Sequence, residues 1–213
     1  ESVFHHVAGG VQSQFLIRAA ELAGGGLRAG AINTLSFKIP VPNGQSYANF
    51  SISILATSNT DMSAGLNPGA FTTLYSNALY TPVAGINVFN LAPAFVWNGS
   101  ANIIVKICWS NNNSGGIGNY AVMDPTSFIS GAYYAENNTN APGICGAATA
   151  TNRLSKRPQF IFGGQVSACT SSAMAAIATI NPEPENLTIL PQTSIICGPL
   201  VQPLKIIGGK YVT

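Results

Sequence analysis

The chain has 213 residues, of which 46% are hydrophobic, but only nine are Lys or Arg and seven Asp or Glu, for a net charge of +2. That is about a third of the charged share of an ordinary soluble domain. The basic residues are too few and too scattered to form an electrostatic stripe for nucleic acid, and no run approaches the roughly 18 to 20 apolar residues of a membrane-spanning helix. Surface charge normally keeps copies of a protein apart, so a chain this neutral has little long-range repulsion against its own kind. Composition therefore points to a surface that becomes covered, as in a lattice or filament; the plainer reading is a neutral extracellular domain.

The opening Glu1-Ser2-Val3-Phe4 has neither a charged segment nor an apolar one of the secretory kind, so a signal peptide, if the protein uses one, is expected to be already removed or to lie outside this sequence. The one helical candidate is Arg18 to Ala23, ended by Gly24-Gly25-Gly26, where glycine supplies the left-handed C′ position. Ala31 to Pro40, Ala48 to Thr57, Ile86 to Leu91 and Ile103 to Trp109 are β-branched or aromatic runs bounded by Gly, Pro and Asn, and they predict strands. Within the second, Phe50, Ile52 and Ile54 alternate with Ser51 and Ser53, which predicts one face on a core. Asn98-Gly99 stands between two apolar runs and predicts a type I′ hairpin with Trp97 at a strand end. Asn119 to Met123 and Phe128 to Tyr134 predict two strands around an Asp124-Pro125 turn, and Pro158 to Phe162 a closing strand. Eight or more strands suffice for an all-β, two-sheet antiparallel β-sandwich, jelly-roll-like, over residues 1 to 165.

After Gly163-Gly164 the character changes. Residues 166 to 213 carry prolines and short apolar runs with few aromatics, too little to build a sandwich alone. This strand-rich tail either folds as an appended hairpin or adds strands to a neighbour, with Leu187, Ile189, Ile195, Leu204 and Ile206 as the apolar side chains of an assembly tail. Four cysteines lack any zinc-like spacing, so disulfides are expected. Chain order suggests Cys108 with Cys145 and Cys169 with Cys197, among three connectivities, and implies an oxidising compartment.

The stretch Gln14-Phe15-Leu16-Ile17-Arg18-Ala19-Ala20-Glu21-Leu22, followed by Gly26 to Phe37, resembles the opening of a β-sandwich module of large secreted and cell-surface proteins of Bacteroidota. Leu74-Tyr75, Tyr80-Thr81-Pro82, Phe95 to Ser100, Asn102 to Val105, Cys108 to Asn112, and Asn152-Arg153 through Arg157-Pro158-Gln159-Phe160 match it in the same order. The resemblance spans about residues 1 to 165 and implies a sandwich fold and a secreted or cell-surface setting, as in adhesins, gliding-associated proteins and carriers of type IX secretion signals. Ala168-Cys169-Thr170 and Ile196-Cys197-Gly198 are similar to the first strands of an Ig-like repeat, left incomplete at Thr213.

Chemistry is sparse. His5 and His6 stand together without a Cys/His partner, and the acids Glu1, Glu21, Asp61, Asp124, Glu136, Glu183 and Glu185 show no catalytic spacing. A glycosidase would need two of them flanking a cleft, but Asp61 and Asp124 lie beside turn residues and are expected to cap backbone N–H groups. No catalytic residue and no cofactor is expected, apart from calcium held by Asp61, Asp124 and Asn111 to Asn113. A glycan would need exposed aromatic platforms, for which Trp97, Trp109, Tyr133 and Tyr134 are the candidates, although core packing competes for both tryptophans. Five Asn-x-Ser/Thr sites begin at Asn49, Asn98, Asn112, Asn137 and Asn186. The expectation is a non-enzymatic, secreted structural subunit that self-assembles by strand addition or engages other surface proteins, binding neither nucleic acid nor the membrane interior. The alternative is a carbohydrate-binding or adhesion module within a larger surface protein.

Overall fold

The computed structural model describes residues 9–110, 118–136, 143–166, 188–190 and 205–207. It divides into two compact units, Glu1–Val166 and Ser167–Thr213. In the first, strands β1 (Gly10–Ile17), β2 (Leu27–Ile39), β3 (Tyr47–Thr57), β4 (Thr72–Tyr80), β5 (Gly85–Trp97), β6 (Asn102–Ser110), β7 (Met123–Pro125), β8 (Gly131–Glu136), β9 (Asn152–Leu154), β10 (Lys156–Pro158) and β11 (Ile161–Val166) follow one another, with helix α1 (Ala19–Gly24) after β1 and a 3-10 turn at Ile144–Gly146.

The strands form an antiparallel β-sandwich. One sheet has six strands in the order β4-β3-β6-β1-β8-β9, the other three in the order β11-β2-β5, and β10 and β7 make a short separate ribbon. The main core lies between the two sheets: Phe15, Phe50, Ile52, Ile54, Val105 and Ile107 from the six-stranded side meet Ile32, Leu35, Phe37, Phe89 and Trp97 from the other. Phe50, Ile52 and Ile54 all point inward, as their alternation requires.

Strand β1 departs from the sequence reading, which placed no strand there. Its eight residues are all buried, including Gln12, Ser13 and Gln14, because loops cover the far face of the six-stranded sheet as well. A second, smaller apolar cluster of Leu16, Met62, Leu66, Ile104 and Ala132 forms under them. The loops are tied down through the polar side chains of β1. Gln14 Nε2 donates to Asn67 O at 3.1 Å while Asn67 N–H donates back to Gln14 Oε1 at 2.7 Å, and Gln12 Nε2 donates to Ala147 O at 3.1 Å. The Cys108–Cys145 disulfide fastens the same face.

Asn98-Gly99 is a correction to the expected hairpin. β5 pairs with β2, whereas β6 pairs with β1 and β3, so the turn crosses from one sheet to the other. Gly99 has φ +83°, but Asn98 is not among the positive-φ residues, so the two-residue I′ geometry is not made. Instead Asn98 Oδ1 accepts the N–H groups of Ser100 and Ala101 at 3.0 and 2.8 Å, and the Trp97 indole N–H donates to Ala101 O at 2.7 Å. Trp97 does end its strand.

Three other segments shift. The helix begins one residue later than expected, with Arg18 as its N-cap: Glu21 Oε2 accepts the Arg18 N–H at 2.7 Å and Asn102 Oδ1 accepts the Ala19 N–H at 2.8 Å. Residues 119 to 122 are not a strand; Asp124 and Pro125 lie in β7 rather than in a turn. The expected closing strand is split at Gln159-Phe160 into β10 and β11, because Phe160 turns into the aromatic core, 5.9 Å from Phe15 and 6.1 Å from Phe37 between ring centroids.

In the second unit, β12 (Thr188–Leu190) and β13 (Lys205–Ile207) pair antiparallel, with Ile189 opposite Ile206. Leu187, Ile195, Leu204, Cys169 and Cys197 lie outside the described residues.

Candidate functional site

The aromatic platform expected for a glycan does not form. Trp97 and Trp109 are each 1% exposed and Tyr133 is 7% exposed, all within the main core. Trp109 packs edge-on against Tyr47 at 4.6 Å. Only Tyr134 is half-exposed, and its hydroxyl donates to Glu136 Oε2 at 3.0 Å, an interaction that raises the phenol above its ordinary value because the carboxylate favours the protonated form. Aromatic side chains at these positions bury area for the fold instead of presenting it.

The acidic residues are likewise committed to structure. Asp61 Oδ1 accepts the N–H of Ser63 at 2.8 Å, the expected turn cap, and the hydrogen bonds from Ser63 hold its carboxyl below the ordinary range. Asp124 instead accepts the side-chain amide of Gln159 at 2.7 Å and caps no backbone group among the described residues, which corrects the expectation for it. Glu21 accepts two N–H groups from Arg157 and one from Arg18; partial burial pushes its carboxyl up, but these donors outweigh burial and bring it below its usual value. Among the described residues no three His, Cys, Asp or Glu side chains gather as metal ligands. His5, His6, Asn111 to Asn113, Glu1, Glu183 and Glu185 lie outside those residues.

Two open grooves mark the surface. One, of about 500 Å³, is lined by Ala56, Thr57, Ser58, Ser100, Ala101 and Asn102, none of them titratable. The other, of about 360 Å³, lies beside Tyr134, Glu136 and Ile144. Neither gathers the convergent charged groups that catalysis in a cleft needs.

The sheet edges are more informative, since each is a row of main-chain donors and acceptors that another strand can complete. Of the four edges of the two main sheets, three are blunted. β9 has three residues and carries Arg153. β5 contains Pro93, which has no N–H to offer. β11 breaks its register at Gly163 and Gly164. β4 shares only the last of these, a single register shift: Thr72-Thr73-Leu74-Tyr75-Ser76-Asn77-Ala78-Leu79-Tyr80 has no charge, no Pro and no Gly, and six of its nine residues are exposed. A bulge at Leu74 separates the first turn of the strand, and from Tyr75 to Tyr80 its offset against β3 is constant.

Beside that bulge, one side-chain guard stands on this edge. The Leu79 N–H donates to Asn77 Oδ1 at 3.0 Å within the strand itself. Main-chain groups of alternate residues face the same side of an antiparallel strand, so half of those of β4 face away from β3, and among the described residues β4 pairs with β3 alone. Leu79 is itself 61% exposed. Around the neighbouring sheet, Ile86, Val88 and Ile161 are also exposed on an outer face whose rows run Ile161-Ser36-Val88 and Lys38-Ile86.

Sequence reading did not single out β4 as a site. Its signal is there, in nine consecutive residues without charge, Pro or Gly, but which strand lies at an edge is a property of topology. No protein-family model, curated protein or solved structure matches the chain.

Proposed function

We propose that this protein is a non-enzymatic, secreted structural subunit that self-assembles by main-chain strand pairing into a larger surface structure. The observation that carries this reading is the nine-residue uncharged edge of β4 in a chain with only sixteen charged side chains, nine basic and seven acidic. Sheet edges of monomeric proteins are guarded because they template association, and an edge left open on so neutral a surface suits a protein meant to associate. The Cys108–Cys145 disulfide supports an oxidising, extracellular setting. The resemblance to surface modules of Bacteroidota supports the same setting, and its first and last motifs meet in space, through the surface ion pair of Glu21 with Arg157 and the packing of Phe15 on Phe160. The adhesion alternative has lost three of its four aromatic candidates to that core.

Electron microscopy of native material, together with light scattering on the purified chain, tests the proposal. Fibres, sheets or defined oligomers are the expected result. A monomer under all conditions overturns it.

A further inference from the structure

We infer that the β4 edge is the contact, and that its occupant is β4 of a second copy, paired antiparallel about a two-fold axis at Asn77. This rests on the self-assembly reading and gives it a surface. A two-fold contact uses one patch twice, so the patch must tolerate itself. β4 does: it has no charge to oppose its own copy and no proline to break the ladder.

The exposed residues choose the register. Centring the pair on Asn77 sets the exposed Leu79 of each copy opposite Tyr75 of the other, a half-buried residue whose ring packs edge-on against Phe50 and Phe89 of its own core. It also brings the two Asn77 residues together, so the amide that occupies the Leu79 N–H in the single chain can exchange that bond for one to its own copy. Ser76 then faces Ala78 of the partner, two small side chains that let the strands approach. The outcome is one continuous sheet made from two six-stranded sheets. The stretch from Tyr75 to Leu79 lies beyond the bulge at Leu74, where the offset to β3 is regular and a new strand can follow it.

Three full-length variants test this. Ser76→Lys puts charge on the edge at an exposed position and should weaken association at least tenfold by sedimentation velocity, while the thermal midpoint and far-UV circular dichroism stay those of the parent. Asn77→Cys should form a covalent dimer under mild oxidation, since directly opposed residues of an antiparallel pair stand within about 4.5 to 5.5 Å, inside disulfide range. Thr72→Cys should not, because in this register the two copies of residue 72 lie far apart along the strands. A covalent dimer from Asn77→Cys and none from Thr72→Cys or the parent supports the inference even if Ser76→Lys folds poorly. An assembly that forms normally in Ser76→Lys and gives no Asn77→Cys cross-link overturns the edge assignment and leaves the proposed function standing. A parent chain that is monomeric throughout overturns both.

Discussion

Arg157 and Glu21, 136 residues apart in sequence, meet in a two-pronged ion pair, Nη2 to Oε1 at 2.6 Å and Nη1 to Oε2 at 3.1 Å. The same Nη1 donates to Leu16 O at 2.7 Å, so one guanidinium joins β10 to the end of β1 and the start of α1. Removing it leaves the Leu16 carbonyl without this donor and Glu21 without its main counter-charge. Arg157→Ala is expected to cost about 1 to 3 kcal/mol in chemical unfolding, and Arg157→Lys should recover little, because a single ammonium cannot make the forked contact.

Acid should reveal the same pair. The Glu21 carboxyl is held below its ordinary value of 4.5 in the folded chain, so its contribution is complete above that value and is lost as pH falls through the lower, native one. Thermal midpoints measured from neutral to acidic pH should fall less steeply below pH 4.5 for Glu21→Gln than for the parent, whereas equal slopes would show that Glu21 contributes nothing to acid sensitivity.

The Cys108–Cys145 bond closes a loop of sequence separation 37 and pins the 3-10 turn over the outer face of β6. Chain-entropy reasoning gives about 3 to 4 kcal/mol for a loop of this size. Replacing both residues with Ala should lower the thermal midpoint by roughly 10 °C, and a shift of a degree or less would show that Gln12, Gln14 and the second apolar cluster hold the loops without it.

At the crossing turn, Gly99 has φ +83°, and a Cβ there would stand 3.0 Å from the Ala29 Cβ. Gly99→Ala is expected to destabilise the fold by about 1 to 2 kcal/mol from left-handed strain alone. Asn98→Ala, which removes the acceptor for two N–H groups, should cost about 1 kcal/mol. Denaturation midpoints unchanged by both would contradict this description of the turn.

Both tryptophans are buried, so their emission should be blue-shifted, poorly quenched by acrylamide and indifferent to soluble glycans. A glycan that shifts the emission would restore the adhesion reading that the burial of Trp97 and Trp109 disfavours.

The all-β class was legible because its signals are local. Phe50, Ile52 and Ile54 announce their inward face within five residues, and Cys108 and Cys145 pair in chain order. What could not be read depended on distant partners. β1 reads as polar at Gln12-Ser13-Gln14, yet it is central, since Asn67 pairs with the Gln14 amide and Ala147 O accepts from Gln12 Nε2, from loops 53 and 135 residues away, while Gln12 Oε1 is buried with no partner among the described residues. Asn98-Gly99 carries the local mark of a hairpin, but the strands it joins find partners elsewhere, and the turn follows those partners. Trp97 and Trp109 could equally line a surface or a core until the second sheet is in place. β4 is the same case at the level of function: its bare sequence becomes meaningful only because, among the described residues, it pairs with β3 alone and so lies at the sheet edge.

Sedimentation velocity of the full-length chain over a wide concentration range, in oxidising buffer, tests self-association most directly. A species of twice 22.0 kDa or larger that grows with concentration is the expected result. A single 22.0 kDa species from the lowest to the highest concentration would contradict it.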